Sequence, residues 1–266
     1  MRWTALPVLV VGVLALAAGC GEPATVVPAH PRDFISLPDS DGGDPVAFRW
    51  SSNGAVGPGL TIADAAQPGE NDCTIGWPVV SSSGRRGYLS AGHCAGGLGR
   101  DTWVYTDGDR RGRVLLGPYV EHEDDTLADG TMFDAAAAFL PGTRRSVRWG
   151  TAIGVGHPIA GTLTPQEVSG LAPGTPLCML GARSGITCGP LMHADDRYLE
   201  WGGYAVTGDS GSAVFAVNPD ESVCAVGILH DGPTDRDNTI AYVEPALRKW
   251  HLTLPRETGP VSGDRC

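Results

Sequence analysis

Gly208-Asp209-Ser210-Gly211-Ser212-Ala213 decides the fold of this 266-residue chain. Two glycines enclose an Asp-Ser pair, and glycine reaches backbone conformations that a Cβ resists, so the run forms a tight turn holding a serine hydroxyl among backbone N–H groups. By itself it is an ordinary glycine-rich turn. Two earlier segments change its meaning: Leu89-Ser90-Ala91-Gly92-His93-Cys94 and Phe133-Asp134-Ala135-Ala136 supply a histidine and an aspartate, in the order His, Asp, Ser. Each also has a plain structural reading, as a buried histidine beside a cysteine and as a strand end. The three together, in this order, point to nucleophilic catalysis.

The chemistry needs these residue types together. A serine hydroxyl is a weak nucleophile near neutral pH and needs a base within hydrogen-bond reach, a task suited to an imidazole with a pKa of about 6.5. His93 is the candidate base. A buried carboxylate on the other ring nitrogen selects the correct tautomer and stabilises the imidazolium as it forms, and Asp134 is the candidate for that. When Ser210 attacks a carbonyl carbon, charge grows on the carbonyl oxygen. The N–H groups of Gly208 and Ser210 are the candidate oxyanion hole.

With these residues in view, Cys73 to Leu252 resembles a trypsin-like or chymotrypsin-like serine peptidase, in the bacterial branch that includes the streptogrisins and alpha-lytic protease. The resemblance implies an all-β fold of two six-stranded antiparallel β-barrels with the active site between them and a short C-terminal helix, here Glu244 to Leu252. It implies a Cys73–Cys94 bridge beside the histidine and a second bridge, Cys178–Cys188. It also implies that Gly227 to Gly232 is the strand that pairs with a peptide or protein substrate, so His230, Asp231 and Gly232 are candidate substrate-binding residues. Tyr204, six residues before the nucleophile, stands where trypsin-type enzymes carry an acidic residue, which argues against a preference for Arg or Lys. Met179 replaces the arginine that follows the cysteine in bacterial members and neutralises the aspartate beside the nucleophile; Arg183 is a candidate substitute partner for Asp209. His230 stands where the family has a small serine behind the catalytic aspartate.

Other chemistries fit less well. An α/β-hydrolase requires G-x-S-x-G and the order Ser, Asp, His, but Ser212 takes the place of the last glycine and His93 precedes the serine. The acidic clusters His122-Glu123-Asp124-Asp125 and His193-Ala194-Asp195-Asp196 lack zinc-site spacing, so we expect no metal and no cofactor. A peptidase-fold binding module that keeps the triad without turnover, through Met179 and His230, is the alternative function.

The amino terminus bears on location. Arg2 precedes an apolar stretch from Leu6 to Ala18 that is short for a membrane span and right for a signal peptide. It ends at Leu16-Ala17-Ala18-Gly19-Cys20, which resembles a bacterial lipobox with Cys20 as the lipidated residue; Ala15-Leu16-Ala17 is the competing ordinary cleavage site that would release a secreted protein. Seven cysteines leave six once Cys20 carries lipid. With the two family-like bridges set, Cys224 and Cys266 remain as the third pair.

We therefore expect residues 1–19 to be a signal peptide and 20–69 a Pro/Gly-rich tether, with motifs such as Asp41-Gly42-Gly43-Asp44-Pro45. Residues 70–266 would be the peptidase domain, its two barrels parting near 150–160. Either that domain folds unaided or a short segment near Leu60 to Ala65 packs on it. A formal charge of -11, with Lys249 the only lysine, argues against nucleic-acid binding. The expected protein is a monomer outside the cytoplasm, tethered to the membrane through Cys20 or secreted.

Overall fold

Short apolar runs punctuated by glycine and proline form strands, because β-branched and small apolar side chains pack on a pleated, buried surface. The computed structural model describes residues 33–39, 50–51, 55–64, 72–141, 148–154, 156–256 and 266. The signal segment and Cys20 lie outside the described residues.

The first half contributes β1 (Ala55–Val56), β2 (Thr61–Asp64), β3 (Cys73–Thr74), β4 (Pro78–Ser81), β5 (Arg86–Ser90), β6 (Asp101–Tyr105), β7 (Arg113–Thr126), β8 (Met132–Phe139) and β9 (Arg148–Trp149). The second half contributes β10 (Ile159–Thr162), α1 (Pro165–Ser169), β11 (Pro176–Gly181), β12 (Gly185–Ala194), β13 (Leu199–Trp201), β14 (Ala213–Val217), β15 (Val223–Thr234), β16 (Asp237–Tyr242), α2 (Val243–Lys249) and β17 (Leu252–Thr253).

Two barrel-like sheets result. In the second, the order β10-β15-β14-β11-β12-β13-β16 is closed by pairing of β15 with β16, so six strands form a barrel and β10 lies outside it, parallel to β15. In the first, the order β17-β4-β5-β8-β7-β6-β2-β3 stays open as a half-barrel. The expected all-β fold with two six-stranded barrels and a short terminal helix is therefore observed in its main lines, α2 being that helix: the second unit is a closed six-stranded barrel, whereas the first is an open half-barrel of eight strands. The first sheet takes its last consecutive strand from β8 and the second begins at Ile159; β17 then returns to pair Leu252 with Ser81.

The alanine run in β8 shows tertiary packing overriding helix propensity. Ala135 to Ala138 are buried between β5 and β7, where only small side chains fit on both faces of a central strand. A second short helix, α1, was not expected, although its capping box is written in the sequence: Thr164 Oγ1 accepts from Glu167 N–H at 3.2 Å and the Glu167 carboxylate accepts from Thr164 N–H at 2.9 Å. Around Ile153 the chain forms only an isolated bridge, Ile153 with His157, next to a turn at Gly154.

The three expected disulfides all form: Cys73–Cys94, Cys178–Cys188 and Cys224–Cys266. The last ties the end of the chain to β15, and burial of Cys266 follows from it.

The segment expected to be a tether is partly built into the fold, and there the structure corrects the expectation. Phe34 and Leu37 are buried, Ile35 N–H donates to Val217 O at 2.9 Å, and Cys188 N–H donates to the Asp39 carboxylate. Farther on, β2 pairs with both β3 and β6 and buries Ile62. The apolar residues responsible, Phe34, Leu37, Val56 and Ile62, are too sparse among Pro, Gly and Asp to leave a periodic signal.

Candidate active site

The residues singled out above converge where the half-barrel meets the closed barrel. His93 lies in the turn after β5, Asp134 near the start of β8, and Ser210 in the turn before β14. Gly92 lets the histidine turn and the Asp134 strand approach closely: a Cβ there would lie 1.9 Å from Glu123 O and 2.9 Å from Asp134 Oδ1. The Cys73–Cys94 bridge holds the far side of the same turn.

Asp134 is buried and receives three hydrogen bonds. His93 N–H donates to Oδ1 at 2.9 Å, His93 Nδ1 meets Oδ2 at 2.9 Å, and His230 Nδ1 meets the same Oδ2 at 2.6 Å. Burial pushes this carboxyl up, but the hydrogen bonds from His230 and His93 outweigh it and hold it well below the usual carboxylate range. An ionised Asp134 makes both imidazoles Nδ1–H donors, which leaves the His93 Nε2 lone pair available to act as a base.

The nucleophile turn is anchored from both sheets. Ser210 O accepts from Thr74 N–H at 2.8 Å, and Thr74 Oγ1 donates to Gly208 O at 2.8 Å while accepting from Ala182 N–H. Ser90 Oγ in turn donates to Thr74 O. Thr74, in the half-barrel, thus clamps a turn that belongs to the closed barrel. Sequence reasoning passed over it; its position beside Cys73 was the only available signal.

Both turn glycines use the left-handed region, Gly208 at φ +101° and Gly211 at φ +90°, and a Cβ on Gly211 would meet Ser90 Oγ at 2.2 Å. Within the turn, Asp209 N–H donates to Val206 O, Gly211 N–H to Leu229 O and Ser212 N–H to Asp209 O. The N–H groups of Gly208 and Ser210 find no acceptor among the described residues, as an oxyanion hole requires.

Asp209 is fully buried, and its carboxylate accepts from Arg183 N–H at 2.8 Å, Ser184 N–H at 3.1 Å, Val206 N–H at 3.0 Å and the Ser184 hydroxyl. Backbone donors and Ser184 therefore occupy this carboxylate, with Arg183 contributing its main chain. Met179 is wholly buried in the apolar interior of the closed barrel. Ser184 was not among the expected site residues.

The Ser210 hydroxyl donates to His230 O at 3.2 Å. Among the described residues it makes no hydrogen bond to His93, and such bonds commonly shorten only in a substrate complex. Strand β15 continues past this point: β14 separates from it after the Ala213–Ile228 pair, while β16 stays paired as far as Thr234 on the other edge. His230 to Gly232 consequently present one strand edge with no partner among the described residues. Tyr204 is half-buried, its carbonyl accepts from Thr187 Oγ1 at 2.7 Å, and its ring lies 5.4 Å from the Arg236 guanidinium.

The two acidic clusters do not gather around a common point. Among the described residues, the groups that bring three ligand-type atoms together are Cys73, His93 and Cys94, of which the cysteines form a disulfide, and His93, Asp134 and His230, in which both histidines hydrogen-bond Asp134.

No protein-family model matches the chain, and no curated protein matches it. Solved structures do. A Nocardiopsis protease superposes with a TM-score of 0.56 at 20% identity, covering 75% of this chain and 98% of that one. Protease A of Thermobifida fusca gives 0.55 at 18%, covering 76% and 99%. A chymotrypsin of Cellulomonas bogoriensis gives 0.54 at 18%, also covering 76% and 99%. At these identities the likeness is one of fold, and the fold is chymotrypsin-like.

Proposed function

We propose that this chain is an exported serine endopeptidase that hydrolyses peptide bonds through Ser210, His93 and Asp134. The observation that carries the reading is the paired contact of Asp134 with His93, through the backbone N–H and Nδ1 at once, beside a serine turn in which the N–H groups of Gly208 and Ser210 find no acceptor among the described residues. In this mechanism a substrate chain adds along the open edge of His230 to Gly232, with main-chain hydrogen bonds fixing the scissile carbonyl over Ser210. Ser210 Oγ leaves His230 O, transfers its proton to His93 Nε2 and attacks the carbonyl carbon. The oxyanion is held by the N–H groups of Gly208 and Ser210. His93 then gives its proton to the leaving amine, and water releases the acyl group by the same route in reverse. Tyr204, Asp231 and Gly232 line the substrate side.

A fluorophosphonate probe tests this directly. The expected result is a covalent adduct on Ser210 that disappears in His93→Ala; a folded wild-type protein that stays unlabelled would favour the binding module instead.

We further propose that residues 1–19 are removed as a signal peptide and that Cys20 carries lipid, holding a monomeric peptidase domain on the outer face of the cytoplasmic membrane; that domain takes in the packed strands β1 and β2 as well as residues 70–266. Three disulfides support an oxidising location. Cys20→Ala is expected to move the protein from the membrane fraction to the soluble fraction, and a wild-type protein already soluble on fractionation rules the anchor out.

A further inference from the structure

Asp134 Oδ2 is shared. His93 Nδ1 reaches it at 2.9 Å and His230 Nδ1 at 2.6 Å, with the two rings edge to face at 5.3 Å between centroids. A serine hydroxyl in this position would donate one hydrogen bond and never carry charge, whereas an imidazole donates the same bond and can also take a second proton. We propose that His230 is a positioning residue for the His93–Asp134 pair whose own proton sets an acid-side limit on hydrolysis. Neutral, it orients the carboxylate; protonated, it takes Asp134 as its own counter-ion and leaves the His93 imidazolium poorly compensated.

The surroundings favour the charged form. The hydrogen bond to Asp134 raises the His230 pKa above its ordinary value against the opposing effect of burial, with Asp231 on its own strand and Asp124 on β7 adding to the rise. Asp231 Oδ1 lies 3.6 Å from His230 Nε2. His93 is the facing cation once protonated. Of the other elements packed on β15, β16 brings Asp237, while α2 brings Glu244, paired with Arg248, and Lys249, paired with Glu123.

The direction of the effect follows. Below the His230 midpoint the site holds one carboxylate between two imidazoles that compete for it, so each proton disfavours the other and the two titrations are coupled. The transition state needs His93 protonated beside an ionised Asp134 while His230 stays neutral. Hydrolysis should therefore be lost over two ionisations as pH falls, where one carboxylate and one histidine would produce a single ionisation.

This inference rests on the hydrolase reading for its kinetic consequence but not for its ionisation. The test is imidazole nitrogen NMR on the full chain, wild type and His230→Asn, together with pH profiles of kcat/KM. Asn keeps a donor for Asp134 and cannot ionise; His230→Ser is the second variant should Asn fold poorly. The His93 midpoint is expected to rise by about one pH unit in either variant, a tenfold easier protonation. The acid limb of log kcat/KM should steepen from a slope of about one toward about two in wild type and stay near one in the variant, whatever the height of the variant's plateau. An unmoved His93 midpoint, or superimposable single-ionisation limbs, overturns the proposal. A shifted midpoint in a protein that hydrolyses nothing leaves it standing and removes the peptidase reading alone.

Discussion

Ser210→Ala is expected to lower kcat for peptide hydrolysis by about a million-fold, the scale seen when the nucleophile of such a triad is removed. The substitution deletes one oxygen whose sole hydrogen bond among the described residues is to His230 O at 3.2 Å. The anchors of the turn, Thr74 N–H to Ser210 O and Thr74 Oγ1 to Gly208 O, end on main-chain carbonyls of the turn, which the variant keeps. Thermal unfolding should consequently stay within about 2 °C of wild type. Residual hydrolysis serves as the control, since oxyanion stabilisation and substrate binding survive without the nucleophile. A chromogenic peptide substrate read under single-turnover conditions settles the matter, and activity near the parent level would remove Ser210 from the mechanism.

The largest stability effect is expected at Asp209. Asp209→Ala leaves three backbone N–H groups, from Arg183, Ser184 and Val206, and the Ser184 hydroxyl without their acceptor in a site closed to water. Buried donors stripped of a partner cost about 1 to 3 kcal/mol each before relaxation, so a total loss of about 3 to 5 kcal/mol is expected, with unfolding lowered by about 10 °C. Hydrolysis should fall as well, because Asp209 sits between the two N–H groups of the candidate oxyanion hole. Ser184→Ala, which removes one donor and leaves the three backbone contacts, should cost about 1 kcal/mol. Denaturant titration of the two variants checks the ranking; a loss below about 1 kcal/mol for Asp209→Ala would show that the carboxylate does not organise the turn.

The effects differ in kind because the proposed mechanism gives Ser210 the bond-making step, whereas Asp209 holds its neighbours. Ser210 is half-buried with a single side-chain hydrogen bond, so removing it changes a barrier. Asp209 is enclosed with four contacts, so removing it changes the fold around the barrier.

The β architecture was legible because its marks are local. Ala213 to Val217 is a strand between turn residues in the sequence and is buried throughout in the structure. The glycines flanking Asp209-Ser210 marked a tight turn that a Cβ would resist, and the positive φ angles of Gly208 and Gly211 agree with it. The three cysteine pairs likewise match. Less legible was the segment before Cys73, where Phe34, Leu37 and Ile62 are buried by strands far along the chain and not by neighbours of their own.

By itself the sequence determined the kinds of chemistry available, since residue types, their order and the turn that presents Ser210 are properties of short segments. Only the tertiary structure decided how those groups share their charges. That His230 meets the same carboxylate oxygen as His93, that Ser184 and three backbone N–H groups occupy Asp209, and that Thr74 clamps the nucleophile turn are contacts between residues brought together only when the sheets fold. Backbone conformational preferences act over a few residues, whereas the environment of a buried carboxylate is set by whatever the closed sheets press against it.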